Sequence, residues 1–197
     1  MNKYIRPIVI GFVVAFVVGF GVSALFNALH IPSPGLSLYF AIFFGGFTAY
    51  ILANLAGNRK VATADAGQQA QALTMTAPAD KALVYVYRQG FVGMAAGLNV
   101  SVDGRTVAQL TSPRFTVVSV APGAHTLTAG FGGLAGAQNK VASEPFTAEA
   151  GGVYAFRLTL SMGMLQNSIQ IAPMPDLAPV KAALGGMKMT APEISEI

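Results

Sequence analysis

The chain has 197 residues, of which 53% are hydrophobic and 10% charged, and it contains neither Cys nor Trp. A soluble domain carries roughly 25% charged residues, so a large part of this one is not built to face water. The missing cysteines exclude disulfides, thiolate nucleophiles and Cys-ligated metals and leave the redox compartment open. The net charge is +4, and from position 81 onward eight Lys/Arg face six Asp/Glu, which is no footprint for nucleic acid.

The first two elements are apolar runs. Residues 7–29 and 36–55 contain no charged side chain, and each has the ~20 residues needed to cross the hydrocarbon core as a helix. Neither has a polar face, and the two prolines and one glycine of 30–35 make a tight connection between them. The spacing predicts a transmembrane helical hairpin over residues 1–56. Gly11, Ala15, Gly19 and Ser23 recur every fourth residue in the first run, as do Ala41, Gly45, Ala49 and Ala53 in the second. Each helix therefore has a smooth ridge on which another backbone can lie closely. The ridges either pack on each other within the hairpin or recruit another subunit. Phe12, Phe16, Phe20, Phe43, Phe44 and Phe47 are left mainly for lipid. Ser23, Asn27, Thr48 and Asn54 are among the few polar residues within the spans, which hold no Asp, Glu, Lys, Arg or His, and ion or proton routes need ionisable groups at membrane depth. These helices are anchors.

Lys3 and Arg6 precede the first span, Arg59 and Lys60 follow the second, and the connection has no Lys or Arg. The positive-inside rule puts both ends in the cytoplasm of a bacterial inner-membrane protein. Val22-Ser23-Ala24 could serve as a signal-peptide cleavage site. The second span alone would still run from outside to inside, so both routes place the remaining domain in the cytoplasm.

Residues 57–80 are rich in Ala, Gln and Thr and read as a tether, in part helical around 66–73. From 81 the period changes to two. Strands are expected over 83–88, 99–102, 105–110, 115–120, 124–129, 143–149, 153–160 and 167–171. Asp103-Gly104 between two alternating runs predicts a type I′ hairpin, whose turn needs positive φ at both positions. Eight short strands with turns every 8–12 residues predict an all-β antiparallel sandwich over 81–172. The stretch 173–197 reads as a tail with at best a short helix near 180–184.

Val84-Tyr85-Val86-Tyr87-Arg88, Val102-Asp103-Gly104, Pro122-Gly123-Ala124-His125 and Ala150-Gly151-Gly152-Val153-Tyr154 follow one another in that order. Together they resemble the bacterial domain of unknown function 2846. The resemblance covers roughly residues 81–172 and implies a transthyretin- or immunoglobulin-type sandwich, often in envelope proteins or lipoproteins, and no catalytic residues. The chain departs from that pattern by having no lipobox cysteine and by carrying a two-span anchor.

If every strand runs antiparallel to its predecessor, alternate connections share one end of the sandwich. One end then holds the tight turns 103–104, 122–123 and 151–152. The other holds 90–97, 112–114, 130–136 and 162–165, and three of these four are apolar and glycine-rich. Such loops either plug the sandwich end or form an interaction surface. Phe91, Val92, Met94, Phe131, Leu134, Met162 and Met164 are the candidates for that surface, which would dock another protein or the bilayer.

Catalytic patterns are lacking. The two histidines, His30 and His125, have no ligand-spaced partner close in sequence, and the carboxylates lie mostly in turns, linker and tail. Gly130-Phe131-Gly132-Gly133-Leu134-Ala135 spells a dinucleotide pattern but follows no parallel strand and opens no helix. The P-loop pattern and the nucleophile elbow do not occur. The expectation is a non-enzymatic, cofactor-free, membrane-anchored interaction protein, an accessory or scaffolding subunit of a larger membrane assembly. Its partners would be membrane lipids and other membrane-protein subunits or itself, and not nucleic acid. The alternatives are a lipid- or glycan-binding module and a self-assembling homo-oligomer.

Overall fold

The structure, a computed structural model, describes residues 3–32, 34–133, 136, 139–161 and 168–197. It divides into two compact units, Met1–Gly57 and Asn58–Ile197.

In the first unit, α1 (Ile5–Ala28) and α2 (Pro34–Leu55) are both apolar all round. Pro34 opens α2 at the first helical position, where its missing N–H costs nothing. Both helices are long and apolar enough to cross a membrane. They pack along their small residues. A Cβ added at Gly45 would lie 2.5 Å from Ala15 Cβ and 2.7 Å from the Gly11 carbonyl oxygen, and one at Gly11 would lie 2.6 Å from Ala49 Cβ. With Gly19 facing Ala41 at 3.0 Å by the same measure, the two ridges meet each other inside the hairpin. Phe12, Phe16 and Phe20 point away from this seam and are exposed.

Among its described residues the second unit holds nine strands in two sheets. They are β1 (Ala82–Arg88), β2 (Leu98–Val102), β3 (Arg105–Leu110), β4 (Arg114–Val120), β5 (Gly123–Phe131), β6 (Ala142–Ala148), β7 (Val153–Ser161), β8 (Ser168–Pro173) and β9 (Lys188–Met189). The order is β8-β7-β1-β4-β9 in the five-stranded sheet and β3-β2-β5-β6 in the four-stranded one. Strand β2 alternates because only one face is covered, and Leu98, Val100 and Val102 enter a core shared by both sheets. Asp103 and Gly104 take φ of +50° and +76°, as the hairpin requires.

Three expectations are corrected. The domain is not wholly antiparallel, because β1 pairs with β7 and β4 with β9 in parallel. It has nine strands rather than eight, the ninth being drawn from the stretch read as a tail. Finally, the stretch read as a tether is packed into the domain from Asn58 onward, where α3 (Ala66–Ala72) starts on a capping box made by Asp65 and Gln68. The tail likewise forms α4 (Leu177–Gly185), which buries Val180 and Leu184. The physical cause of the last two lies in β1. Val84 and Val86 face the core between the sheets, while Tyr85 and Tyr87 face outward with Phe115 and Ala155. That outer apolar face must also be covered, and Ala64, Ala72, Val180, Leu184, Met187 and Met189 cover it. Tyr85 ties the layer down by donating to the Ala72 carbonyl at 2.6 Å, and burial pushes its phenol up to about 12.

Candidate interaction surface

Strand registers place the connections at two opposite ends. Arg88 is opposite Arg114, and Leu98 is opposite both Leu110 and Phe131, so the connections β1–β2, β3–β4 and β5–β6 share one end. The turns 103–104, 121–122 and 149–152 close the other.

At the first end residues 89–97 carry the exposed apolar side chains Phe91, Val92 and Met94, with Phe91 86% exposed. The support behind them is Arg88, which is 1% exposed. A strand-end arginine with a neighbouring carboxylate would form an ion pair, but among the described residues none lies within reach. The guanidinium instead donates to backbone carbonyls, reaching Gly93 at 2.6 Å, Leu110 at 3.2 Å, Val92 at 3.4 Å and also Ala96. Burial pulls it down to about 10, so it stays charged at neutral pH. One planar fork with five donors thus gathers a glycine-rich loop that has no ladder of its own. Gly93 is held at φ +59°, a conformation that favours glycine, and an added Cβ would also push on the Leu160 side chain at 2.9 Å. Met94 is fixed further, its carbonyl accepting from the Ser112 N–H at 3.1 Å, and the Ser112 hydroxyl donates to the Gly90 carbonyl at 2.7 Å.

The loop is also tied to the first residues of the domain. Asn58 donates to the Ala95 carbonyl and accepts from the Gly97 N–H, both at 2.7 Å. The Arg59 N–H donates to the buried Gln109 side chain at 2.6 Å, and the Arg59 guanidinium pairs with Glu193 at 2.9 Å.

Of the residues picked out in the sequence for this surface, Phe91, Val92 and Met94 are brought together and exposed. Phe131 belongs to β5 and is half-buried against the core between the sheets. Leu134, Met162 and Met164 lie outside the described residues. Val141, which no sequence signal marked, joins the exposed set at 64%. Of the helix residues, Gly11, Ala15, Gly19, Ala41, Gly45 and Ala49 line the α1–α2 seam, whereas Ser23 is exposed and Ala53 half-buried.

The opposite end carries the titratable pair of the domain. His125 Nδ1 lies 2.6 Å from Asp103 Oδ2 and its Nε2 lies 2.7 Å from the Ala121 carbonyl oxygen. Asp103 Oδ1 accepts from the Thr126 N–H at 2.8 Å. Burial works against the imidazolium, yet with acceptors at both nitrogens the net effect raises His125 above its usual value. Burial would also raise Asp103, but the bonds from His125 and Thr126 bring it below the usual carboxylate range. Sequence inspection found no carboxylate near His125. The partner stands 22 positions away and arrives through the pairing of β2 with β5, Val102 opposite Leu127. Both ring nitrogens are thus engaged by oxygens of the domain itself. Among the described residues no three His, Asp or Glu side chains gather as metal ligands.

Residues 78–171 match the family described as Protein of unknown function (DUF2846). The match takes in β1 to β7 and most of β8, and leaves α1, α2, α3, α4 and β9 outside it. No curated protein matches the chain.

Proposed function

We propose that this protein is a non-enzymatic, membrane-anchored interaction protein. It serves as an accessory or scaffolding subunit of a larger bacterial membrane assembly. Helices α1 and α2 cross the inner membrane as a hairpin, with Lys3 and Arg6 before it and Arg59 and Lys60 after it on the cytoplasmic side. Their mutual packing through Gly11, Gly45 and Ala49 supports the anchor. The β domain makes its contact, with another subunit or with the bilayer, through the loop end. The observation that carries this reading is the position of the exposed large apolar side chains of the domain. Among the described residues from Asn58 onward, all four, Phe91, Val92, Met94 and Val141, lie at that one end.

Purification of the full chain from native membranes in mild detergent, followed by mass spectrometry, tests the assembly. Foreign subunits in stoichiometric amounts are expected, and a homogeneous homo-oligomer overturns the accessory role in favour of self-assembly. A reporter fused after Ile197 should be active only in the cytosol, and periplasmic activity reverses the orientation. A second reading, a lipid- or glycan-binding module, draws on a cleft of about 300 Å³ between α3 and the outer face of the five-stranded sheet. Leu83, Tyr85, Val117, Ser119 and Pro192 are among its uncharged lining residues. A neutral lipid retained through purification without protein partners favours it.

A further inference from the structure

We propose that the tip formed by Phe91, Val92, Met94 and Val141 rests in the interfacial layer of the bilayer that α1 and α2 cross. This inference depends on the membrane reading above and names lipid as the partner of the loop end.

The apolar tip is the first reason. A soluble domain scatters its exposed apolar residues singly, whereas here the four large ones of the described part of the domain share one end, with Phe91 at 86% exposure. The frame beneath them is rigid, because Arg88 and Ser112 hold the loop backbone, so the side chains are already directed outward before anything binds.

Chain connection is the second. Helix α2 ends at Leu55, and Asn58, three residues on, is hydrogen-bonded into the same loop at Ala95 and Gly97. Three extended residues span at most about 10 Å. The loop end is therefore the end of the domain at which the chain arrives from α2.

Charge is the third. Lys60 follows two residues after Asn58 and Lys140 adjoins Val141, and both are exposed. Arg59 is already paired with Glu193. Asp103 and the exposed Glu149 stand at the far end of the domain, together with Arg105 and the Lys81–Glu196 pair, so that end is mixed in charge. Lysines beside an apolar tip suit anionic headgroups, whose attraction falls off within a Debye length.

Because the chain has no Trp, Phe91→Trp gives a single reporter in the full-length protein, and Ala150→Trp gives one at the opposite end. Both are reconstituted in vesicles of phosphatidylethanolamine and phosphatidylglycerol, with and without brominated acyl chains. The expected result is several-fold stronger quenching of F91W than of A150W by brominated lipid, and several-fold weaker quenching by iodide. M94W reports on the same tip should F91W fail to fold. Equal iodide access at the two ends, in protein that floats with the vesicles, overturns the proposal and leaves the anchor standing. Protection of F91W only in native membranes also overturns it, in favour of a protein partner. A chain that does not float with vesicles overturns the membrane reading itself.

Discussion

The two ends of the β domain solve the same problem, closing strands that run out of partners, by opposite means. At the turn end a two-residue hairpin with positive φ at Asp103 and Gly104 closes the backbone within itself. Its polar groups answer one another through His125, Asp103 and Thr126. At the loop end the backbone of 89–97 makes only turn bonds of its own, Met94 N–H to Phe91 and Ala96 N–H to Gly93, and a buried cation, Arg88, supplies further donors. The consequence is a difference in what faces outward. The turn end spends its polar side chains locally, whereas the loop end satisfies its backbone from below and leaves Phe91, Val92 and Met94 free. An apolar loop can therefore be ordered without being buried, provided the donors come from the core side.

The largest effect should come from removing those donors. Arg88→Met removes the guanidinium from the carbonyls of Val92, Ala96 and Leu110 and leaves Gly93 with the Ala96 N–H alone, and a loss of about 3 kcal/mol is expected from the usual cost of lost buried donors. Thermal unfolding measures it, and hydrogen exchange should show amides of 89–97 opening first. Arg88→Lys should recover only part, since a single ammonium cannot span the carbonyls that the guanidinium fork reaches. Retained stability in R88M would break the contrast between the ends.

The next test separates two phenylalanines that look alike in sequence. Phe131→Ser removes a ring packed against the core and should cost about 2–3 kcal/mol. Phe91→Ser changes an exposed ring and should stay within about 0.5 kcal/mol. Chemical denaturation of the two variants compares them directly, and a large loss for F91S would mean that the loop is itself part of the core.

The smallest effect belongs to the turn end and depends on pH. Asp103 titrates below its usual range, so its contribution is present above the ordinary carboxylate value and is lost as the pH falls through the lowered one. His125 titrates above its usual value, so its contribution is full below the ordinary imidazole value and is lost as the pH rises through the raised one. The stability advantage over Asp103→Asn should thus be greatest between the ordinary values, 3.8 and 6.5, and decline on either side. Its size is no more than about 1 kcal/mol, because Asp103 is well exposed to solvent. A difference that stays flat from well below 3.8 to well above 6.5 would show that the pair is not coupled.

Much of the architecture was readable from local rules. Two uncharged apolar runs announced α1 and α2, and small residues four apart marked the faces that meet at Gly11, Gly45 and Ala49. The Asp103-Gly104 pair announced its turn because few other dipeptides tolerate that backbone. Even the sorting of connections into two ends followed from strand parity, and the parallel pairing of β1 with β7 leaves it intact. The site was less readable. Arg88 looked like a charged residue closing a strand, and nothing near it in the chain indicates that it is buried or that loop carbonyls receive it. The covering of the outer face by residues before 78 and after 173 was also hidden. A weakly periodic stretch reads as linker unless one asks why Tyr85 and Tyr87 alternate with two buried valines on β1.

What the amino-acid order determined alone was the sequence of elements, the places where the chain turns and the apolar character of the first unit. Those depend on residue spacing and on backbone conformations that act over a few positions. Only the tertiary structure decided which face of β1 is covered by what, which cation is desolvated, and that His125 meets an aspartate 22 positions away. These are properties of register between distant strands, set by the collective packing of the sheets, and no local pattern carries them.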